Sequence, residues 1–281
     1  MDPASAPGLA ERLDSLRQSA GLTGEALARS LDRSPSWVSK ILNEQRVPSE
    51  TDTRAWAQAC GHPELADELV ALRETATAQV RWRRQLEEGG EPAIQRDFDE
   101  LTRSATVVRN FEGSIFSGLL QTPEYARGAF EWVQAINPDV EIDLDAAVDA
   151  RIRRREVLHE EVSPGQRRTF EFILGYAALV SPPCPVADML DQLNWLLMMM
   201  DLKNVTVGII PQGRQLAMPL YNGFWLMDDL LVIETYTYER QIPGDQAARH
   251  ARIFEKLMEE AVKEDDARRL IMAATASLRE G

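Results

Sequence analysis

Residues 22–42, LTGEALARSLDRSPSWVSKIL, constrain this chain more than any other stretch. Leu22, Leu27, Ala28 and Leu31 recur at the spacing of one helical face, and Thr23 stands where a side-chain oxygen caps the first turn. A second helix opens with Ser34 at its N-cap and Pro35 at its first helical position, where a missing N–H costs nothing. Val38, Ile41 and Leu42 then repeat on its inward side, and Ala28 is small where two helices must cross closely. Asp32 occupies the connecting turn, at a position that calls for a left-handed backbone. Glycine is commonest there, but Asp tolerates that conformation better than most residues. Two short helices joined in this way form the unit that lays its second helix in a DNA major groove.

The flanking sequence completes a five-helix module. Leu9, Leu13 and Leu16 mark a first helix closed by Gly21. Ser49 caps a fourth, with Trp56, Ala57 and Cys60 as its apolar positions and Gly61 after it. A fifth begins near Pro63, carries Leu65, Leu69, Leu72 and Val80, and is expected to run to about Glu88. Residues 21–61, from GLTGEALARSL through SWVSKILNEQRVPSETDTRAWAQACG, resemble the Xre (Cro/C1-type) helix-turn-helix family. The resemblance implies a compact DNA reader. Two departures stand out: Gly24 where the family usually carries Gln, which removes an expected phosphate or base contact, and Asp32 where it usually carries Gly.

With Val38, Ile41 and Leu42 inward, the groove side of the second helix holds Pro35, Ser36, Ser39 and Lys40, with Ser34 at its entrance. Serine hydroxyls and a lysine ammonium suit base edges and phosphates. Asn43, Gln45 and Arg46 follow the helix as phosphate contacts, and Arg33 in the turn and Arg17 add further candidates. Trp37 can pack on the sugar–phosphate edge, stack within the module, or meet a thymine methyl. The RWRR cluster at 81–84 reads as a solvated helix face rather than a second DNA contact.

Charge then divides the chain. The net charge is −14, yet residues 1–60 hold seven basic and eight acidic side chains, so nearly all the excess negative charge lies downstream. A neutral reader beside an acidic body limits nonspecific DNA affinity and suits a basic partner protein. No apolar run approaches the ~20 residues that span a bilayer. The start, MDPASAPG, has neither a basic nor an apolar segment of an export signal, and residues 1–8 read as a disordered tail. Cys60 and Cys184 lack metal-ligand spacing and fit a reducing cytoplasm. The expected location is therefore cytoplasmic, associated with the nucleoid, with no membrane contact.

The stretch EGGEP at 88–92 is the clearest break, which sets a reader domain with its linker helix at 9–90 and a second domain at 91–281. In the second domain, 94–102 reads as helix and 105–111 as strand. A loop and a helix opening at Pro123 follow, then a charged helix over 144–159. Strands are expected at 169–174, 205–210, 224–227 and 230–235, and helices at 186–200, 245–263 and 266–278. The expected fold is an all-α five-helix domain followed by an α+β (or α/β) domain with a small sheet.

This second part also resembles a known family. GLLQTPEYARG at 118–128, ARIRRREVL at 150–158, MLDQL…NVTVGIIP at 189–211, FWLMD…VIET at 224–235, and the closing helix with Arg252, Phe254 and Leu257 follow the order and spacing of one domain. It is the domain of unknown function that accompanies the Xre module in many regulators of filamentous actinobacteria. The family's usual Pro before GLLQT is Ser117 here. Members resemble the sporulation regulator WhiJ. The resemblance implies an antitoxin-like transcriptional regulator, often encoded near a small partner protein.

Candidate ligand- or partner-binding groups in this part are Gln121, Thr122 and Tyr125, which alternatively cap a helix and close the core. Arg154 and Arg155 join them, either paired with a carboxylate such as Glu234 or binding an anion. The run Met198–Met200 reads as core. His62, His159 and His250 show no metal spacing, and neither HExxH, GxSxG nor a Walker loop occurs, so no enzyme, metal or cofactor is expected. The expected partners are a double-stranded operator, read as a homodimer on an inverted repeat, and a small protein or small-molecule effector.

Overall fold

The computed structural model describes residues 8–138, 141–235 and 239–280, with 82–89 described by backbone alone. Apart from Gly8, the expected tail at 1–8 lies outside the described residues, as do the side chains of Trp82, Arg83 and Arg84 in the RWRR cluster. The chain divides into two compact units, Met1–Arg84 and Gln85–Gly281.

The first unit is helical. Helices α1 (Leu9–Ser19), α2 (Gly24–Ser30), α3 (Pro35–Leu42) and α4 (Glu50–Ala59) are followed by a short 3₁₀ turn at Pro63–Leu65 and by α5 (Ala66–Ser104). Local chemistry sets the boundaries. Thr23 Oγ1 accepts from Ala26 N at 3.1 Å, Ser34 Oγ from Trp37 N at 3.1 Å and Ser49 Oγ from Asp52 N at 3.0 Å. Each such cap contributes about 1 kcal/mol. The inward faces close one core of Leu13, Leu27, Ala28, Val38, Ile41, Trp56, Ala57 and Leu69. Trp56 is fully buried, and its indole N–H donates to Leu13 O at 3.2 Å, which ties α4 to α1.

Helix α5 is broken at one residue. Gly90 has φ 62° and ψ −172°, and Pro92 falls in the first turn of the helix that restarts after it. There its missing N–H leaves no bond unmade. The break expected over 88–92 is thus a single residue, with helix on both sides.

The second unit is α+β. After α5 come β1 (Val107–Glu112), α6 (Pro123–Ile136), α7 (Leu144–Arg153), the short strands β2 (Glu161–Ser163) and β3 (Gln166–Arg167), β4 (Thr169–Gly175), α8 (Tyr176–Val180), α9 (Val186–Met199), β5 (Val205–Ile210), β6 (Phe224–Met227), β7 (Leu230–Glu234), β8 (Glu239–Pro243), α10 (Asp245–Glu260) and α11 (Glu264–Glu280). The described residues form a six-stranded sheet in the order β5-β4-β1-β6-β7-β8. β5, β4 and β1 run parallel, and β6, β7 and β8 continue antiparallel from β1. The order therefore turns back at β1, which has β4 on one side and β6 on the other.

Both faces of the sheet are covered. On one, Val108, Phe170, Phe172, Trp225, Met227 and Val232 pack with Phe98, Leu193, Leu196 and Ile271. On the other, Phe111, Ile173, Phe224, Leu226 and Leu231 pack against Ala247, Phe254 and Leu257 of α10. Residues that alternate along β1 thus serve two cores, as the period of two requires. Asp228 closes the β6–β7 turn at φ 52°, and its carboxylate accepts from Val107 N at 2.9 Å, fixing the start of β1.

Several elements depart from the sequence expectation. The charged helix expected over 144–159 ends at Arg153 and continues as a 3₁₀ turn, Arg154–Leu158. Strand β8, helix α8 and the β2–β3 hairpin have no counterpart in the sequence expectation. β8 (ERQIP) has no apolar run and takes its conformation from pairing with β7, while β2 and β3 are exposed throughout. Met199 is buried as expected, but Met198 is 58% exposed, because the face of α9 turns outward between its neighbours.

Candidate nucleic-acid interface

Helix α3 presents two unlike faces. Val38 and Ile41 are 1% exposed and Leu42 packs beside them, whereas Pro35, Ser36, Ser39 and Lys40 are all exposed. The chain leaves the helix through Glu44 at φ 56°, with Gln45 N donating to Lys40 O at 2.8 Å and Arg46 N to the same oxygen at 3.1 Å. This turn sets Asn43, Gln45 and Arg46 in the open just past the helix end. Among the described residues neither Lys40 nor Arg46 makes an ion pair, so both cations are available to a polyanion. Asn43 Nδ2 donates to Ser39 Oγ at 3.2 Å, which orients that hydroxyl on the exposed face. Ser34 is exposed too; its oxygen holds the cap, and its O–H remains free to donate.

Three side chains of the expected set are placed differently. Trp37 is 8% exposed, with its ring centre 6.1 Å from that of Trp56, so it is a core residue rather than a groove contact. It lies one position from the exposed row, and the helix turn carries it inward. Arg33 donates to Asp52 Oδ1 from Nε at 3.2 Å and from Nη2 at 2.9 Å, and its guanidinium stands 5.6 Å from the Trp37 ring centre. Burial alone would raise Asp52, but donation from Ser49 and Arg33 outweighs it and holds the carboxyl below its usual range. Arg33 therefore braces the turn against α4. Arg17 is likewise engaged, donating to Asp14 Oδ1 at 2.8 Å and to Leu22 O at 2.6 Å.

The candidates of the second unit are brought together, but in roles of two kinds. Thr122 caps α6 by accepting from Tyr125 N at 3.3 Å, and its own N–H donates to Gln192 Oε1 at 2.7 Å. Tyr125 is fully buried, and its hydroxyl accepts from Phe116 N at 3.2 Å. These two close the core. Gln121, 1% exposed, accepts at Oε1 from Arg151 Nη1 at 2.8 Å and at its backbone O from Arg155 Nη1 at 2.8 Å. Arg154, 4% exposed, donates from Nη1 to Gln95 Oε1.

The expected pairing of Arg154 or Arg155 with Glu234 does not form. Glu234 Oε2 instead accepts from the Trp225 indole N–H at 2.8 Å. Sequence reading missed Glu91, Gln95, Asn110 and Glu112, which share this interior. A signal exists for two of them: Asn110 and Glu112 follow Val108 at steps of two, on the same face of an apolar strand. Among the described residues no group of three or more His, Cys, Asp or Glu side chains is arranged to hold a metal ion. No helix among them is long and apolar enough to cross a membrane.

Comparison with known families agrees with both units. A Helix-turn-helix domain family matches residues 9–72. The Domain of unknown function (DUF5753) family matches residues 95–273, more than half of the chain. No curated protein and no solved structure matches it. The chain carries a helix-turn-helix domain, which suggests a DNA-binding regulator, and by the extent of the second match it belongs to the Domain of unknown function (DUF5753) family.

Proposed function

We propose that this protein is a sequence-specific transcription regulator of the Xre (Cro/C1) type, WhiJ-like in arrangement, whose second unit senses a small partner protein or a ligand. The observation that carries the DNA-reading part is the exposed row Ser36, Ser39, Lys40, Asn43, Gln45 and Arg46 on and after a helix whose opposite side is buried. Hydroxyls and amides there are suited to base edges, and the two unpaired cations to phosphates. A single module of this size buries little surface, so two copies on an inverted repeat double the contacts. The protein acts in the cytoplasm at the nucleoid and carries out no catalysis.

The test is enrichment of genomic fragments on the purified full-length protein, followed by fluorescence anisotropy on the recovered site. A palindromic site bound by two chains, with affinity at least a thousandfold above that for random DNA, is the expected result. Equal affinity for both DNAs overturns the reading.

A second reading is favoured by charge. Residues 1–84 hold 11 basic and 12 acidic side chains, so almost all of the −14 lies after them. An acidic body suits an antitoxin-like protein that sequesters a small basic partner, with DNA binding kept for autoregulation. Capture of one stoichiometric basic protein, which releases the operator as it binds, distinguishes this reading.

A further inference from the structure

Two guanidinium groups in the second unit, that of Arg154 buried and that of Arg151 half-buried, converge on one neutral atom. Gln95 Oε1 accepts from Arg151 Nε at 2.6 Å and from Arg154 Nη1. Gln95 itself is 3% exposed, and its amide N–H donates to Glu91 Oε1 at 2.8 Å. Aromatic rings flank the pair: the Arg154 guanidinium lies 4.2 Å from the Phe98 ring centre and that of Arg151 4.6 Å from Phe130. Arg154 Nε is buried without a hydrogen-bond partner, and so is the hydroxyl of Ser117. Ser117 precedes Gly118, where a Cβ would lie 3.0 Å from Arg151 Nη1, so this backbone abuts the guanidinium.

No carboxylate stands within ion-pair distance of either group among the described residues. Glu91 and Glu234 act on Arg151, and Glu234, Asp99 and Glu239 on Arg154, from a distance; Gln95 donates to Glu91, whose carboxyl burial raises, Trp225 donates to Glu234, and Arg103 donates to Asp99. Burial pushes both arginines down, Arg154 to about 9, with the neighbouring Arg151 adding to the effect. Burying like charges without a contacting counter-ion is unfavourable, and a guanidinium's fork of donors is matched by a carboxylate or phosphate.

We propose that Arg151 and Arg154 bind a small anionic effector bearing a carboxylate or phosphate group. This rests on the reading of the second unit as the sensing part. Gln95 and Gln121 orient the two guanidiniums from the helix and from the loop.

The test uses the full-length chain, with inorganic phosphate and succinate as separate probes, each against sodium chloride at equal ionic strength. Thermal shift and calorimetry are read on the wild type, Arg154→Gln and Arg151→Gln. One probe is expected to stabilise the wild type saturably, and which one does so identifies the anion class. Arg154→Gln and Arg151→Gln are each expected to lose that response. If Arg154→Gln fails to fold, Arg151→Gln, whose side chain is only half-buried, decides alone.

The site is overturned if neither probe exceeds chloride, or if Arg154→Gln or Arg151→Gln responds as the wild type does. Operator affinity is measured in the same samples with a small-molecule extract of the native cell. An extract effect that survives in Arg154→Gln removes this site but keeps the sensing role; no extract effect on any variant removes the small-molecule sensing role.

Discussion

Arg33 places two donors on a single oxygen of Asp52, Nε at 3.2 Å and Nη2 at 2.9 Å, across 19 residues of chain. The pair locks the turn before α3 to the start of α4, where Ser49 also donates to Asp52 at 2.7 Å. An arginine in this turn thus acts on DNA through the position of α3 rather than through a phosphate. Among the described residues Arg46 has no such partner. In salt titrations of operator affinity, Arg46→Gln is expected to lower the slope of log K against log salt by about 0.9, the value for one phosphate contact. Arg33→Gln is expected to leave the slope unchanged. Equal loss of slope in both variants removes the distinction.

The same pair gives a pH dependence. The Asp52 carboxyl is held below its ordinary range, so its contribution to stability is present above the unfolded value and is lost as pH falls through the folded one. Asp52→Asn is expected to cost about 0.2–1 kcal/mol at pH 7, the range for exposed pairs, and less at pH 2. Urea denaturation at the two pH values checks it, and an unaltered cost in acid counts against the assignment.

Lys40 is exposed and makes no ion pair among the described residues, and its neighbours Val38 and Ile41 carry the packing of the helix. Lys40→Ala is expected to weaken specific binding by about 1–3 kcal/mol. The thermal midpoint should stay where it is, since no contact within the domain is lost. An unchanged operator affinity in a gel-shift titration sinks the assignment of this face.

Gly24 opens α2, and a Cβ built there meets only Val38 Cγ1, at 3.9 Å. The site therefore has room for the glutamine that the resemblance leads one to expect. Gly24→Gln is expected to raise stability by about 0.4–1 kcal/mol through the unfolded chain's lost freedom. It is also expected to tighten operator binding several-fold by restoring a polar contact. Gain of stability without gain of affinity shows that α2 does not approach the DNA.

The parts of this fold that were legible in the sequence are those fixed locally. Thr23, Ser34 and Ser49 cap helices because a hydroxyl reaches an N–H three residues on, and Asp32 takes the left-handed turn, at φ 53°. The strands Val205–Ile210 and Phe224–Met227 were readable as apolar runs bounded by polar residues. What was not legible depends on partners far along the chain. β8 is a strand because β7 pairs with it, and Arg154 meets Gln95 across 59 residues, where a charge pattern suggested Glu234. Trp37 shows the same limit within one helix: its place inward depends on Trp56, and a single turn of α3 does not announce it.

Glu112 ends β1 with its carboxylate facing inward, accepting from Asn110 Nδ2 at 3.2 Å, against the backbone of Gly223, where a Cβ would lie 2.2 Å from Oε2. Burial, and then the negative charge of Glu234, push its carboxyl from 4.5 up to about 8. The folded chain therefore holds this proton over a window in which the unfolded chain has lost it. Stability from the neutral form is fully present below the unfolded value and is lost progressively as pH rises toward about 8. Glu112→Gln keeps the shape and removes the ionisation. It is expected to change stability little at pH 4 and to raise it at pH 8 by on the order of 1–3 kcal/mol, the cost of an unsatisfied buried group. Chemical denaturation of both proteins at the two pH values reads the difference directly. Parallel pH curves for the wild type and Glu112→Gln would place the ionisation elsewhere, with Glu91, which burial also raises, as the next group to substitute.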